Sequence, residues 1–225
     1  MTLIIQKPTG AKLVLSKIQQ YPAVLGEPWG GGYFAGYISH TADGNPTHAL
    51  IVAPRATGAT GTGYTLTTNL QWKTANTTTA GTTSVFDGAA NTAAMVTAGI
   101  NNHPAAKFCV DLSIGGFTDW YLPSQLELDI AYFNLKPSTG ANLTSAGVNN
   151  YSVPKRTTNY SAAYPTQTSV TAFNTSSQAF SGNFHTSSTE ITSFNNAFND
   201  FFNGRQDQTN KTTAYRVRAF RRIAL

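Results

Sequence analysis

The groups in this chain that could do chemistry are four histidines, ten carboxylates, one thiol and many hydroxyls, and their spacing decides which chemistry is open to them. His40, His48, His103 and His185 form no His-x-x-x-His pair, so no helix-borne zinc site is present. No Gly-x-Ser-x-Gly elbow occurs, and Gly58-Ala59-Thr60-Gly61-Thr62-Gly63 lacks the lysine of a phosphate loop. Cys109 lies in Ala105-Ala106-Lys107-Phe108-Cys109-Val110-Asp111-Leu112, with apolar flanks and no histidine close in sequence. A small buried thiol is therefore expected rather than a nucleophile. A single cysteine also excludes an intrachain disulfide. The acidic residues are dispersed, which leaves open a glycosidase that brings two of them together in space. Calcium would need six or more oxygens, and clustered carboxylates are missing. The expectation is no catalytic residue, no metal and no cofactor.

What the chain does carry is a polar and aromatic display near its end. Phe184-His185-Thr186 and the run from Ile191 to Gln208 alternate Phe with Asn, Thr, Asp, Gln and Arg. Such a mix can stack on a sugar face while bonding its hydroxyls. The candidate ligand-binding residues are Phe184, His185, Asn195, Asn199, Arg205, Gln206 and Gln208. Phe194, Phe198 and Phe202 are assigned to the core, and the polar positions between them to the surface.

These residues need elements to hold them. Tyr33 to Ile38 and His48 to Ala53 read as two strands around Asp43-Gly44-Asn45-Pro46, a hairpin at the centre of a sheet. Residues 57 to 88 read as surface loop pinned by Tyr64, Trp72 and Phe86. Asn91 is placed as the cap of a helix through Ala93 to Val96, and Pro104 separates that helix from the one holding Cys109. In Ser124-Gln125-Leu126-Glu127, Ser124 and Glu127 can satisfy each other's backbone donors, which starts a helix at Ser124. Pro137 ends it near Leu135 or Lys136, and Leu126, Ile130 and Phe133 give it one apolar stripe. Residues 138 to 183 are Ser/Thr/Asn/Gly-rich and broken by Tyr151, Tyr160, Tyr164 and Phe173. A loop of that length inside a domain is usually functional. Asn203-Gly204 marks a hairpin turn, and Tyr215 to Ile223 reads as the closing strand.

Residues 1 to 26 form a unit of their own, with short strands at Leu3-Ile4-Ile5 and Lys12-Leu13-Val14-Leu15. Two short strands are marginal alone and offer unpaired backbone groups to a neighbour. The unit reads either as an edge hairpin or as a docking arm, with Lys7, Lys12, Leu13 and Leu15 as candidate assembly residues.

The stretch Asp119-Trp120-Tyr121-Leu122-Pro123-Ser124, followed by Glu127-Leu128, resembles a signature of the domain at the C-terminus of Legionella collagen-like protein. Further matches in the same order are Gly31-Gly32-Tyr33-Phe34, His48 to Val52, Gln71-Trp72, Asn91-Thr92, Ala105 to Cys109, Ser187-Ser188-Thr189-Glu190 and Tyr215 to Arg221. The resemblance spans residues 27 to 225. It implies an α+β, C-type-lectin-like fold with a small twisted antiparallel sheet, two or three helices and long loops, used for display and binding. The paired thiols of the related formylglycine-generating enzymes are missing. The Tyr-Trp usual before Ser-Ser-Thr-Glu is His185-Thr186 here. Some members resembling this domain are diversified by retroelements, and the Asn-rich run from Asn195 to Asn210 looks similar to such a region. Ile5 to Leu15 also resembles N-terminal segments of tailed-phage structural proteins.

Composition bounds the rest. Charged residues make up 11% of the chain against 40% hydrophobic, and the formal charge is +5. The basic residues cluster in the arm and in the last strand and do not form the dense aromatic-interleaved face of a nucleic-acid binder. Met1 to Pro8 lacks a signal-peptide pattern, and no apolar run approaches the length needed to cross a bilayer. The expected protein is a non-enzymatic phage virion component, made in the host cytoplasm and associated with a tail or fibre. Its expected partners are other virion proteins, a host-surface glycan or receptor, and further copies of itself, with a trimer suiting a fibre. Nucleic acid and membrane insertion are not expected. A secreted adhesin that binds polysaccharide and a glycan-degrading enzyme are the alternatives.

Overall fold

The computed structural model describes residues 21–55, 63–65, 68–174, 178–180, 184–191, 196–201 and 203–225. Lys7, Lys12, Leu13, Leu15, Gly58 to Thr62, Phe194, Asn195 and Phe202 lie outside the described residues.

His48-Ala49-Leu50-Ile51-Val52 is an unbroken apolar run after its first residue, the pattern of a strand buried on both faces. It forms the central strand β3 (His48–Val52). Strand β2 (Gly32–Ile38) pairs with it antiparallel across the predicted hairpin, and β10 (Phe220–Ala224) pairs with its other edge. Two short strands, β1 (Pro28–Trp29) and β5 (Ser152–Val153), extend the sheet from β2. Alternate residues then feed two cores. Ala49 and Ile51 join Phe34, Trp72, Met95, Cys109 and Trp120 on one side. Helices α1 (Gly88–Thr97) and α2 (Pro104–Val110) supply that side. Leu50 and Val52 join Leu128, Ile130, Ala131 and Phe220 on the other, beneath α3 (Gln125–Leu135). Each fully buried aliphatic or aromatic side chain contributes about 1.5–3 kcal/mol, which makes this double-faced sheet the main source of stability.

The protein is α+β, with four α-helices among the described residues where two or three were expected; α4 (Thr171–Asn174) is a single turn. The strands form three antiparallel sheets rather than one. A two-stranded sheet joins β4 (Leu70–Gln71) to β9 (Ala214–Tyr215). A three-stranded sheet joins β6 (Phe184–Glu190), β7 (Asn196–Phe201) and β8 (Arg205–Asn210), with Asn203 and Gly204 in the β7–β8 turn. The closing strand read from Tyr215 to Ile223 is interrupted, pairing as β9 and again as β10.

Polar ties lock the helices in place. The Glu127 carboxylate accepts from Ser124 N (2.7 Å), Ser124 Oγ (3.0 Å), Tyr121 Oη (2.7 Å) and Gly88 N (3.1 Å), so one side chain fixes the starts of both α3 and α1. Burial pushes its pKa up to about 7, against the downward pull of the Ser124 and Tyr121 hydrogen bonds. Helix α1 starts earlier than expected. Its cap is Asp87, which accepts from Ala90 N at 2.8 Å. Asn91 is instead buried inside the helix and donates to Ser84 O (2.7 Å) and Ser188 Oγ (3.1 Å). Glu190, at the end of β6, accepts from Thr79 N (2.8 Å), Thr82 Oγ1 (2.7 Å) and Lys211 Nζ. Lys211 also donates to Thr77 O at 3.0 Å and lies 5.0 Å from the Trp72 ring centre. The 73–82 loop is thereby bound to the small sheets.

Candidate functional site

Helix α3 does not present one apolar stripe. Ile130 is buried, but Leu126 and Phe133 are only half-buried, while Asp129, Tyr132 and Lys136 are buried. Positions 129, 132 and 136 recur at helical spacing and share a face. That face holds the long loop. Asp129 accepts from Asn149 Nδ2 (2.6 Å), Tyr160 Oη and Arg156 Nη2. Tyr132 Oη donates to Asn142, whose Nδ2 donates to Ser161 O (3.0 Å) and Pro165 O (3.0 Å). Lys136 Nζ donates to Gly140 O (2.6 Å) and Pro165 O (3.1 Å). Gly147 has φ +122°, and a Cβ there would lie 2.6–2.8 Å from Tyr160 atoms, so glycine lets the loop close onto that ring. On the opposite side, Asn134 Nδ2 donates to Ala35 O at 2.8 Å and anchors the helix to the sheet.

The loop wrapped in this way displays aromatics. Tyr164 is 57% exposed and meets Phe133 edge-on at 5.4 Å between centres. Tyr160 stacks beneath Phe133 at 6.2 Å, and the Arg156 guanidinium lies 4.4 Å from the Phe133 centre. Phe133 and Tyr164 are shared by two open grooves. One, of about 290 Å³, is lined also by Lys155, Arg156, Thr157, Thr158 and Asn159. The other, of about 570 Å³, runs past Thr166, Gln167, Thr168 and Ser169 to Ala23–Leu25. A third groove, of about 340 Å³, continues from Thr166 and Gln167 to Lys136, Thr139 and Gly140. Among the described residues, no acidic side chain lines any of the three. The face therefore offers one exposed ring, Tyr164, beside half-buried Phe133 and among hydroxyls, amides and cations, a surface suited to stacking and hydrogen bonding.

The residues expected to bind from sequence lie elsewhere. His185 is fully buried, its Nε2 2.8 Å from Tyr64 Oη, so it is not a surface stacking group. Asn199 is buried too and donates to Thr209 Oγ1 at 3.0 Å. Asn199 stands opposite Thr186 and His185 opposite Asp200, so the two lie on opposite faces of the β6–β7 pair, and β6 is buried on both faces from His185 to Glu190. Phe184 is half-buried against Tyr215, with Arg205 5.8 Å from its centre. Gln206 accepts from Gln125 Nε2 at 2.9 Å and links β8 to α3. Arg205 and Gln208 are exposed, and Arg205 pairs with Asp207 at 2.6 Å. Arg205, Gln206 and Gln208 share a strand, but they and Phe184 do not close around a groove with His185 and Asn199. The sequence signal for Phe133, Tyr160 and Tyr164 was the unusual length of the 138–183 loop and the tyrosines spaced along it.

No family model, curated protein or solved structure matches this chain. Arg222 Nη1 donates to Asp87 Oδ1 (2.7 Å) and lies 3.3 Å from His40 Nε2, while the His40 and His48 rings are 4.4 Å apart. Burial, with the Arg222 and His48 charges adding to it, lowers the His40 pKa to about 4, and His48 is lowered also by burial and Arg222. Arg218 is fully buried. Its Nε donates to Ala53 O (2.9 Å), its Nη1 to Gln178 O (2.8 Å), and burial lowers its pKa to about 9. Cys109 is buried and its pKa is raised by desolvation, which disfavours the reactive thiolate. Among the described residues, no three His, Cys, Asp or Glu side chains are grouped to hold a metal, and no helix is long and apolar enough to cross a membrane.

Proposed function

We propose that this protein is a non-enzymatic, C-type-lectin-like display domain of a phage virion, on a tail or fibre, that recognises a host-surface glycan. The observation that carries the binding reading is Tyr164, an exposed ring held by a built loop between two grooves rich in hydroxyl and amide groups. Ring faces of sugars stack on such aromatics while their hydroxyls bond to the polar rim. A shallow surface of this kind binds weakly and gains strength by repetition, which fits a homo-oligomer such as a trimer. Among the described residues, nine carboxylates accept hydrogen bonds or ion pairs within the fold, and none lines the three grooves. That arrangement favours binding over glycoside hydrolysis, which needs two carboxylates flanking the bond. The placement in a virion rests on the resemblance of Ile5 to Leu15 to tailed-phage proteins and of Asp119 to Leu128 to the adhesin-type signature.

The test of the binding reading is an array of bacterial-surface polysaccharides probed with the intact protein, with reducing ends assayed in parallel. Binding without release of reducing sugar is expected. Release of reducing sugar would favour the glycan-degrading alternative. A mass-spectrometric inventory of purified particles tests the placement: the protein is expected there, and deleting residues 2–17 is expected to abolish incorporation. Its presence in a host envelope but not in particles would favour the secreted adhesin.

A further inference from the structure

Resting on the glycan reading above, we infer that the site binds the interior of a linear polysaccharide, spanning several consecutive sugar units across Tyr164, rather than a terminal sugar. The grooves are joined. Phe133 and Tyr164 belong to both the 290 Å³ and the 570 Å³ grooves, and Thr166 and Gln167 belong to both the 570 Å³ and the 340 Å³ grooves. Together they make one continuous trough beside the C-terminal half of α3, open to solvent in each of its three parts. A chain end needs a dead-end pocket to be recognised. A chain interior needs a continuous path with a ring to stack on, and Tyr164, 57% exposed where two of the grooves meet, provides the ring. The hydrogen bonds of Asn142 and Lys136 to the 161–165 backbone hold that path in place before any ligand arrives, so little ordering is left for binding.

The inference is tested by isothermal titration of the intact protein with ladders of one to eight units of malto-, cello-, chito-, xylo- and galacturono-oligosaccharides. For at least one ladder, the affinity is expected to rise at least tenfold from the trimer to the hexamer, with the monosaccharide unbound. Thr166→Trp, at an exposed position where two grooves join, is expected to remove most of that rise. Asn159→Trp blocks the other side of Tyr164 and is expected to act alike, and unchanged thermal midpoints show that both variants fold. Equal affinity for the monosaccharide and the octamer overturns the inference and leaves the glycan reading standing. So does a Thr166→Trp variant that keeps the full length dependence. Failure of every ladder at every length overturns the glycan reading itself.

Discussion

His40 is held neutral by its surroundings, and that has a consequence that pH can read. Its pKa in the fold is about 4 against an ordinary 6.5, because it is desolvated beside Arg222 and His48, with only Asp87 pulling the other way. Between those values the unfolded chain takes up a proton that the folded chain refuses, so stability falls as pH drops from about 6.5 to about 4 and is unaffected by His40 above that window. Replacing His40 with Gln removes this loss. In urea titrations the wild type should weaken relative to His40→Gln as the pH is lowered from 7 to 4, and a constant difference between the two would contradict the arrangement. Glu190 and Lys211 make the opposite kind of pair, both buried and bonded to each other. Lys211→Met leaves Glu190 without its cation in a buried site, and is expected to cost about 3–5 kcal/mol in chemical denaturation. A loss below about 1 kcal/mol would mean that the pair is solvated.

At the scale of elements, α3 organises both halves of the molecule, one face on the sheet and another holding the loop. Asn142→Ala removes the side chain that ties the Ser161, Ala162 and Pro165 carbonyls to Tyr132, and is expected to loosen the 159–168 segment while the sheet stays intact. Hydrogen exchange should then quicken in that segment by at least tenfold and stay unchanged in β3. The start of α3, its end, the β2–β3 hairpin and the β7–β8 turn were all legible, because Ser-x-x-Glu, proline and Asn-Gly act within a few residues of themselves. The faces were not. Leu126, Ile130 and Phe133 suggested a stripe, but Asp129, Tyr132 and Lys136 are buried by a loop that returns from far along the chain. His185 and Asn199 misled for the same reason, since burial of a polar strand residue is set by what packs across it. The residues that carry the resemblance to the Legionella collagen-like protein domain also prove structural. Trp72, Asn91, Thr92, Trp120, Glu127 and Ser187 to Glu190 are all buried, so they are ties of the fold and not contacts with a ligand.

For the whole molecule, function is placed on the Phe133–Tyr164 face, and the β7–β8 hairpin is scaffold whose Gly204 turn packs against Tyr132 and Tyr160. One comparison separates the two. Tyr164→Ala, at an exposed position, and the double variant Arg205→Ala with Gln206→Ala should both fold, as checked by circular dichroism. Each is then titrated beside the wild type against the polysaccharide that the array shows to bind. Loss of a stacking ring is expected to lower affinity about tenfold or more for Tyr164→Ala, and the hairpin variant should bind within twofold of the parent. Unchanged binding by Tyr164→Ala, together with a tenfold loss in the hairpin variant, would contradict the claim and return the site to residues 184–210.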